Sequence, residues 1–213
     1  MTKFFYPLIL TILAFPIPAF GDIVVDNYAE AGGGGYGLRI NFFGQQSSVI
    51  AQQFNTGGNT VELHEISVNI TRDTATADFT ATLWSSSNNN LPDVALANLS
   101  LVNAPQANIE DTYTFRPDTR FFLDGQTDYF FSIEDNISSN SGVSGSVFFS
   151  NNYIGNGNIL EQVARSNDSG ATWTTAGSNA ILISVTSIPE ASGIAILAFF
   201  ANALIAVTRF RTS

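Results

Sequence analysis

Apolar residues recur at every second position through much of the chain. Ile66, Val68 and Ile70 alternate with Ser67 and Asn69, and Phe79, Ala81 and Leu83 alternate with Thr80 and Thr82. Tyr129, Phe131 and Ile133 continue the theme around Phe130 and Ser132, and Ile181, Ile183 and Val185 close it. Successive side chains of a strand point to opposite faces, so each run predicts a strand with one apolar side. Turn-forming clusters separate the runs: Thr56-Gly57-Gly58-Asn59, Ser85 to Asn90 with Leu91-Pro92-Asp93, Asp124-Gly125, Ser139 to Gly145, Asn151 to Asn158 and Asn167 to Gly170. Many short strands with frequent turns predict an all-β domain, an antiparallel sandwich or a barrel. No stretch of the body has helical apolar spacing, and Thr, Ser, Asn and Phe are plentiful.

The two ends break this pattern. Met1-Thr2-Lys3 is a short basic start, followed by the apolar run Phe4 to Phe15, by Pro16 and Pro18, and by Ala19-Phe20-Gly21. Ala19 and Gly21 put small residues at both positions a signal peptidase inspects, which predicts a secretory signal helix over residues 1–21, removed before Asp22. At the far end Ile188-Pro189-Glu190 leads into an apolar stretch from Ala191 to Thr208 and then Arg209-Phe210-Arg211. As a helix that stretch is just long enough to cross ~30 Å of hydrocarbon. The arginines after it belong on the cytoplasmic side. Both ends therefore place residues 22–187, one domain of ordinary size, outside the inner membrane.

Cysteine is absent, which removes disulfides, thiolate metal sites and thiol nucleophiles together. A domain of this length buries a sizeable core without such staples. Residues 22–187 hold five arginines (Arg39, Arg72, Arg116, Arg120 and Arg165) against seventeen carboxylates. Such a surface repels a phosphate backbone, so nucleic acid is not an expected partner. The charge serves solubility outside the cell, with divalent-cation binding as the functional alternative.

Little in the body reads as catalytic. The sole histidine, His64, lies in a strand predicted over Val61 to Ile70, and no Gly-x-Ser-x-Gly elbow accompanies it. One histidine without cysteine cannot build a typical zinc site. Glu62, Glu65, Glu110, Asp111, Glu134 and Asp135 are candidates for a hydrolytic pair, but adjacent strand carboxylates such as Glu110-Asp111 and Glu134-Asp135 point to opposite faces. Gly32 to Gly35 with Gly37 lacks the Lys-Ser/Thr and the helix of a phosphate cradle and is expected to be a flexible loop. Asp124 and Asp128 are weak calcium candidates in a turn, without EF-hand spacing. Trp84, Tyr153 and Trp173 lie near predicted loops and could stack on a sugar face. Phe121-Phe122 and Phe130-Phe131 each place one ring on either face of a strand, so some rings must meet a further layer or show at the surface.

Three stretches resemble known sequence signatures. Ser166-Asn167-Asp168-Ser169-Gly170-Ala171-Thr172-Trp173 is similar to an Asp-box, a hairpin turn of sialidase propellers that lies away from their active site. Ser166, Asp168, Gly170, Thr172 and Trp173 occupy its defined positions, and one copy does not make a propeller. Pro189-Glu190, the apolar stretch and the pair Arg209 and Arg211 resemble a PEP-CTERM sorting signal, with Ala191 at the third motif position. That resemblance implies processing near Pro189-Glu190 by an exosortase and release toward the exterior in bacteria that make exopolysaccharide. The body from about 48 to 186 resembles a choice-of-anchor R domain. The matching stretches are Ile50 to Gly57, Phe79 to Ser85, Leu91-Pro92-Asp93 before Ala95-Leu96-Ala97, Thr112 to Phe115 and Leu123 to Phe130. It implies a jelly-roll-like sandwich displayed at the surface and carries no catalytic residue.

The expected protein is thus an exported, non-enzymatic surface or matrix component without a cofactor. Its expected partners are signal peptidase, an exosortase-type enzyme, polysaccharide and, through the C-terminal helix, the inner membrane. The alternatives are a carbohydrate-binding module using Trp84, Tyr153 and Trp173, or a glycoside hydrolase with two carboxylates ~5–10 Å apart.

Overall fold

The spine of the structure is a strand of 12 residues, Val61–Arg72, that accepts four neighbours along its two edges. In this computed structural model the residues described are 22–27, 32–38, 48–72, 79–103, 110–135, 145–150, 159–177 and 180–188. They form β1 (Asp22–Asp26), β2 (Gly32–Leu38), β3 (Val49–Asn55), β4 (Val61–Arg72), β5 (Phe79–Ser86), β6 (Pro92–Leu101), β7 (Glu110–Pro117), β8 (Phe122–Leu123), β9 (Asp128–Asp135), β10 (Gly145–Ser150), β11 (Ile159–Ser166), β12 (Thr174–Gly177) and β13 (Ile183–Ile188). No helix occurs among the described residues. The expected terminal helices, and with them Ala19, Gly21, Pro189, Glu190, Arg209 and Arg211, lie outside those residues.

All pairings are antiparallel, and the strands join in one sheet of order β1-β13-β4-β7-β6-β5-β9-β3-β11-β12. One edge of β4 takes β13 and then β10, while the other takes β8 and then β7. The run Gly32 to Gly35, expected as a loop, is instead part of β2, hydrogen-bonded to β10 from Gly32↔Ser150 to Leu38↔Gly145. The ladder satisfies the backbone groups there, and a strand does not depend on side chains for that.

The sheet curls into a half-barrel. Ring contacts show how tightly. Phe115 on β7 and Phe131 on β9 have centroids 5.8 Å apart, and Phe79 on β5 meets Tyr113 on β7 edge-on at 5.3 Å. β7 and β9 are separated by β6 and β5 in the ladder, so in a flat sheet they would stand about 14 Å apart. The inner face of the curl holds the core: Ile50, Phe54, Leu83, Ile133, Val163 and Val185 with the rings just named.

On β4 the core positions are Leu63 and then Ile66, Val68 and Ile70. The alternation skips one step because Thr186↔Glu65 is followed by Ser187↔Leu63, which leaves His64 as the extra residue of a β-bulge.

Two buried amides tie down the crossing between β12 and β13. Asn27 Nδ2 donates to Ile181 O at 2.8 Å and its Oδ1 accepts from Ile183 N at 2.7 Å. Gln52 Oε1 accepts from Ile181 N at 2.6 Å, and its Nε2 donates to Gln53 O. Unpaired backbone groups are costly in a core, and these side chains pair the groups that the ladder leaves open.

The turn at Gly125-Gln126 packs onto the turn at Gly57-Gly58, where Gln126 N donates to Gly57 O. A Cβ on Gly125 would lie 2.8 Å from Gly58 O and 2.9 Å from Asn59 C, whereas one on Gly58 would meet nothing within 4 Å. Gly125→Ala is therefore expected to destabilise by about 1–3 kcal/mol in urea denaturation, as overpacking does. Gly58→Ala serves as the neutral control.

Candidate functional site

Strands β9, β3 and β11 bury side chains on both faces. Opposite the core, on the outer face, Phe130, Ala51 and Ala164 form a second buried cluster. Trp84 from β5, Leu91 from the β5–β6 turn and Trp173 from the β11–β12 hairpin roof it. This answers where the paired phenylalanines go. Phe131 faces the core and Phe130 the roofed cluster, whereas Phe122 is exposed on the outer face with the Arg120 guanidinium 4.8 Å from its ring centre.

The Asp-box-like residues build the roof. Ser166 Oγ donates to Asp168 Oδ1 at 2.7 Å and accepts from Gly170 N at 2.8 Å. Thr172 donates from its amide to Asp168 Oδ1 at 2.8 Å and from its hydroxyl to Oδ2 at 2.6 Å. Ser169 and Gly170 have φ of 54° and 88°, the left-handed conformation that glycine adopts at little cost. A Cβ on Gly170 would press on the Trp84 ring at 3.0 Å, so the turn sits directly against that indole. Trp173 meets Trp84 edge-on at 5.4 Å. The indole N–H of Trp84 donates to Ser132 Oγ at 2.7 Å, which fixes the ring.

The Ser166 hydroxyl, then the Thr172 hydroxyl and amide, hold the Asp168 carboxyl below its ordinary value. A lowered carboxylate stabilises the fold fully above the ordinary aspartate value of about 3.9 and loses that contribution as pH falls through the lower folded value. Asp168→Asn is therefore expected to flatten the fall in melting temperature below about pH 4. An unchanged acid limb would remove Asp168 from the account.

Beside this roof runs an open trough on the outer face. One compartment, about 170 Å³, is lined by Trp84, Thr80, Thr82, Ser132, Glu134 and Ser169, and Asn98 and Ala95 also border it. A second, about 460 Å³, continues along β6 past Ser100 to Asp118. The two share Thr80 and Asn98 in their linings, so they lie side by side across β5 and β6; Phe79, Leu99 and Leu101 also line the second. Register explains the assembly: Thr82 is opposite Asn98 on β6 and Ser132 on β9, and Thr80 is opposite Glu134. Glu134 Oε1 accepts from Ser169 Oγ at 2.8 Å, and Asp118 Oδ1 accepts from Ser100 Oγ at 2.5 Å.

The remaining candidates are dispersed. Asp128 accepts from Asn55 at 2.6 Å and Gln53 at 3.4 Å, so its oxygens already face amide donors, while Asp124 is exposed and its amide donates to Tyr129 Oη. Burial holds the Tyr129 hydroxyl above its ordinary pKa. Among the described residues no three His, Asp or Glu side chains gather as a metal site would require. His64 lies 3.7 Å from Glu65, which is also bound by Arg116 at 3.0 Å, and Glu62 pairs with Arg120 at 2.5 Å. Asp111 accepts from Thr112 N at 2.7 Å. Tyr153 and the side chains of Glu110 and Asp135 lie outside the described residues. Thus Trp84 and Trp173 come together, and Thr80, Thr82, Asn98, Ser132 and Glu134 join them from strands whose pairing the linear sequence does not display. No protein-family model matches the chain, and no curated protein matches it, so the resemblances above rest on the residues quoted for them.

Proposed function

We propose that this is an exported, non-enzymatic bacterial domain, displayed at the cell surface or released into the surrounding matrix. On this reading signal peptidase cuts after Ala19-Phe20-Gly21, and an exosortase-type enzyme acts near Pro189-Glu190. The observation that carries the reading is the pairing of β1 with β13, in which Asp22 lies opposite Ser187. The first and last strands of the domain therefore bring Asp22 and Ser187, described residues close to the two proposed cuts, to one end of the same strand pair. The buried Val25 and Asn27 lie between the two cuts and stay with the domain. Within the same reading the flanks β13-β4-β7 and β5-β9-β3 serve as the layers of a jelly-roll-like sandwich, supported by the contact of Phe115 with Phe131. The engagement of Glu62 and Glu65 by Arg120 and Arg116 supports a structural role for these carboxylates.

Deleting residues 189–213 in the native host tests the proposal. The full-length chain is expected at the cell surface or in the medium after passing the inner membrane. The truncated chain is expected to stop in the periplasm. Equal distribution of the two forms would overturn the role of the tail.

A second reading, contact with polysaccharide, is favoured by one observation. The indole of Trp84 is fixed by Ser132 and forms a wall of a trough floored by hydroxyls and an amide.

A further inference from the structure

We infer that the trough over β5 and β6 binds an uncharged polysaccharide chain, with Trp84 as its apolar wall; the inference rests on the reading that this domain contacts polysaccharide. A sugar ring offers an apolar C–H face and a rim of hydroxyls. It therefore needs an aromatic surface next to neutral groups that both donate and accept. Trp84 supplies the first. Thr80, Thr82 and Ser100 supply hydroxyls, and Asn98, which borders both compartments, supplies an amide. The buried Ser132 hydroxyl is taken up by the Trp84 indole and Thr82 O and serves to hold the ring. From Thr80 to Trp84 the strand covers about 14 Å, and the second compartment adjoins the first along β6, so the length suits a chain rather than a single ring.

Charge selects the class of chain. Glu134 borders one compartment and Asp118 the other, and among the described residues no Lys, Arg or His lines either. A uronate or sulfated polymer would meet a carboxylate in each compartment, on a domain already rich in carboxylates. Glu134 and Asp118 sit in different compartments and each accepts a serine hydroxyl, so they stand as hydrogen-bond acceptors for sugar hydroxyls.

The test uses the full chain in a detergent without a sugar headgroup, retained on beads bearing neutral polymers (dextran, xyloglucan, β-1,3-glucan) or anionic ones (alginate, dextran sulfate). Retention is expected on at least one neutral polymer and on neither anionic one, and it should be unchanged by EDTA. Trp84→Ala and Asn98→Arg are each expected to weaken it by about tenfold or more. Asn98 is exposed, so Asn98→Arg should leave the melting temperature unchanged, which separates a lost site from a lost fold. Full retention of Asn98→Arg on a neutral polymer would place binding elsewhere and overturn the inference, while the polysaccharide reading stood. Preference for the anionic beads, or loss with EDTA, would overturn the ligand class. Failure to bind any polymer would remove both.

Discussion

Asn27→Leu is expected to lower the unfolding free energy by about 2–5 kcal/mol, because it leaves two buried backbone groups without partners. Asn27 is 2% exposed, and its amide both donates to Ile181 O and accepts from Ile183 N. Leucine is similar in size and can do neither. A matched control lies on the surface. Asn103 makes the same pair of hydrogen bonds, its Nδ2 donating to Thr112 O at 2.7 Å and its Oδ1 accepting from Thr114 N at 2.8 Å, but it is exposed. Water replaces those partners when the amide is lost, so Asn103→Leu is expected to cost about 1 kcal/mol or less. Equal losses for the two variants in chemical denaturation would contradict the role given to burial.

Phe115→Ala and Phe131→Ala are each expected to cost about 3–5 kcal/mol, the range for removing an aromatic ring from a packed core. The two losses should not add. Their rings meet across the curl, so a double-mutant cycle is expected to return a coupling of about 0.5–1.5 kcal/mol. β7 and β9 share no hydrogen bonds, so the coupling reports sheet curvature rather than strand pairing. Strict additivity would mean that the flanks do not face each other.

The strands with a regular apolar alternation were legible without coordinates. Ile66 to Ile70, Phe79 to Leu83, Tyr129 to Ile133 and Ile183 to Val185 lie in β4, β5, β9 and β13 with the expected side inward. Even the bulge left a trace, since the apolar spacing jumps from Leu63 to Ile66. By contrast, β2 is mostly glycine and β12 is Thr-Thr-Ala-Gly, so neither carries an alternation to read. Asn27 and Gln52 look like surface residues in sequence because the groups they satisfy belong to Ile181 and Ile183, far along the chain. The Asp-box-like turn was visible as a motif because its bonds are local, from Ser166 to Thr172. The trough was not, because it depends on which residues of β6 and β9 face Thr80 and Thr82, and register is a tertiary property.

Terminal mass spectrometry of the protein recovered from fractionated native host cells tests the central claim of export and double processing. The account predicts a chain that begins near Asp22, ends near Pro189 and is found outside the inner membrane. An intact cytosolic chain retaining both Lys3 and Arg211 would contradict it.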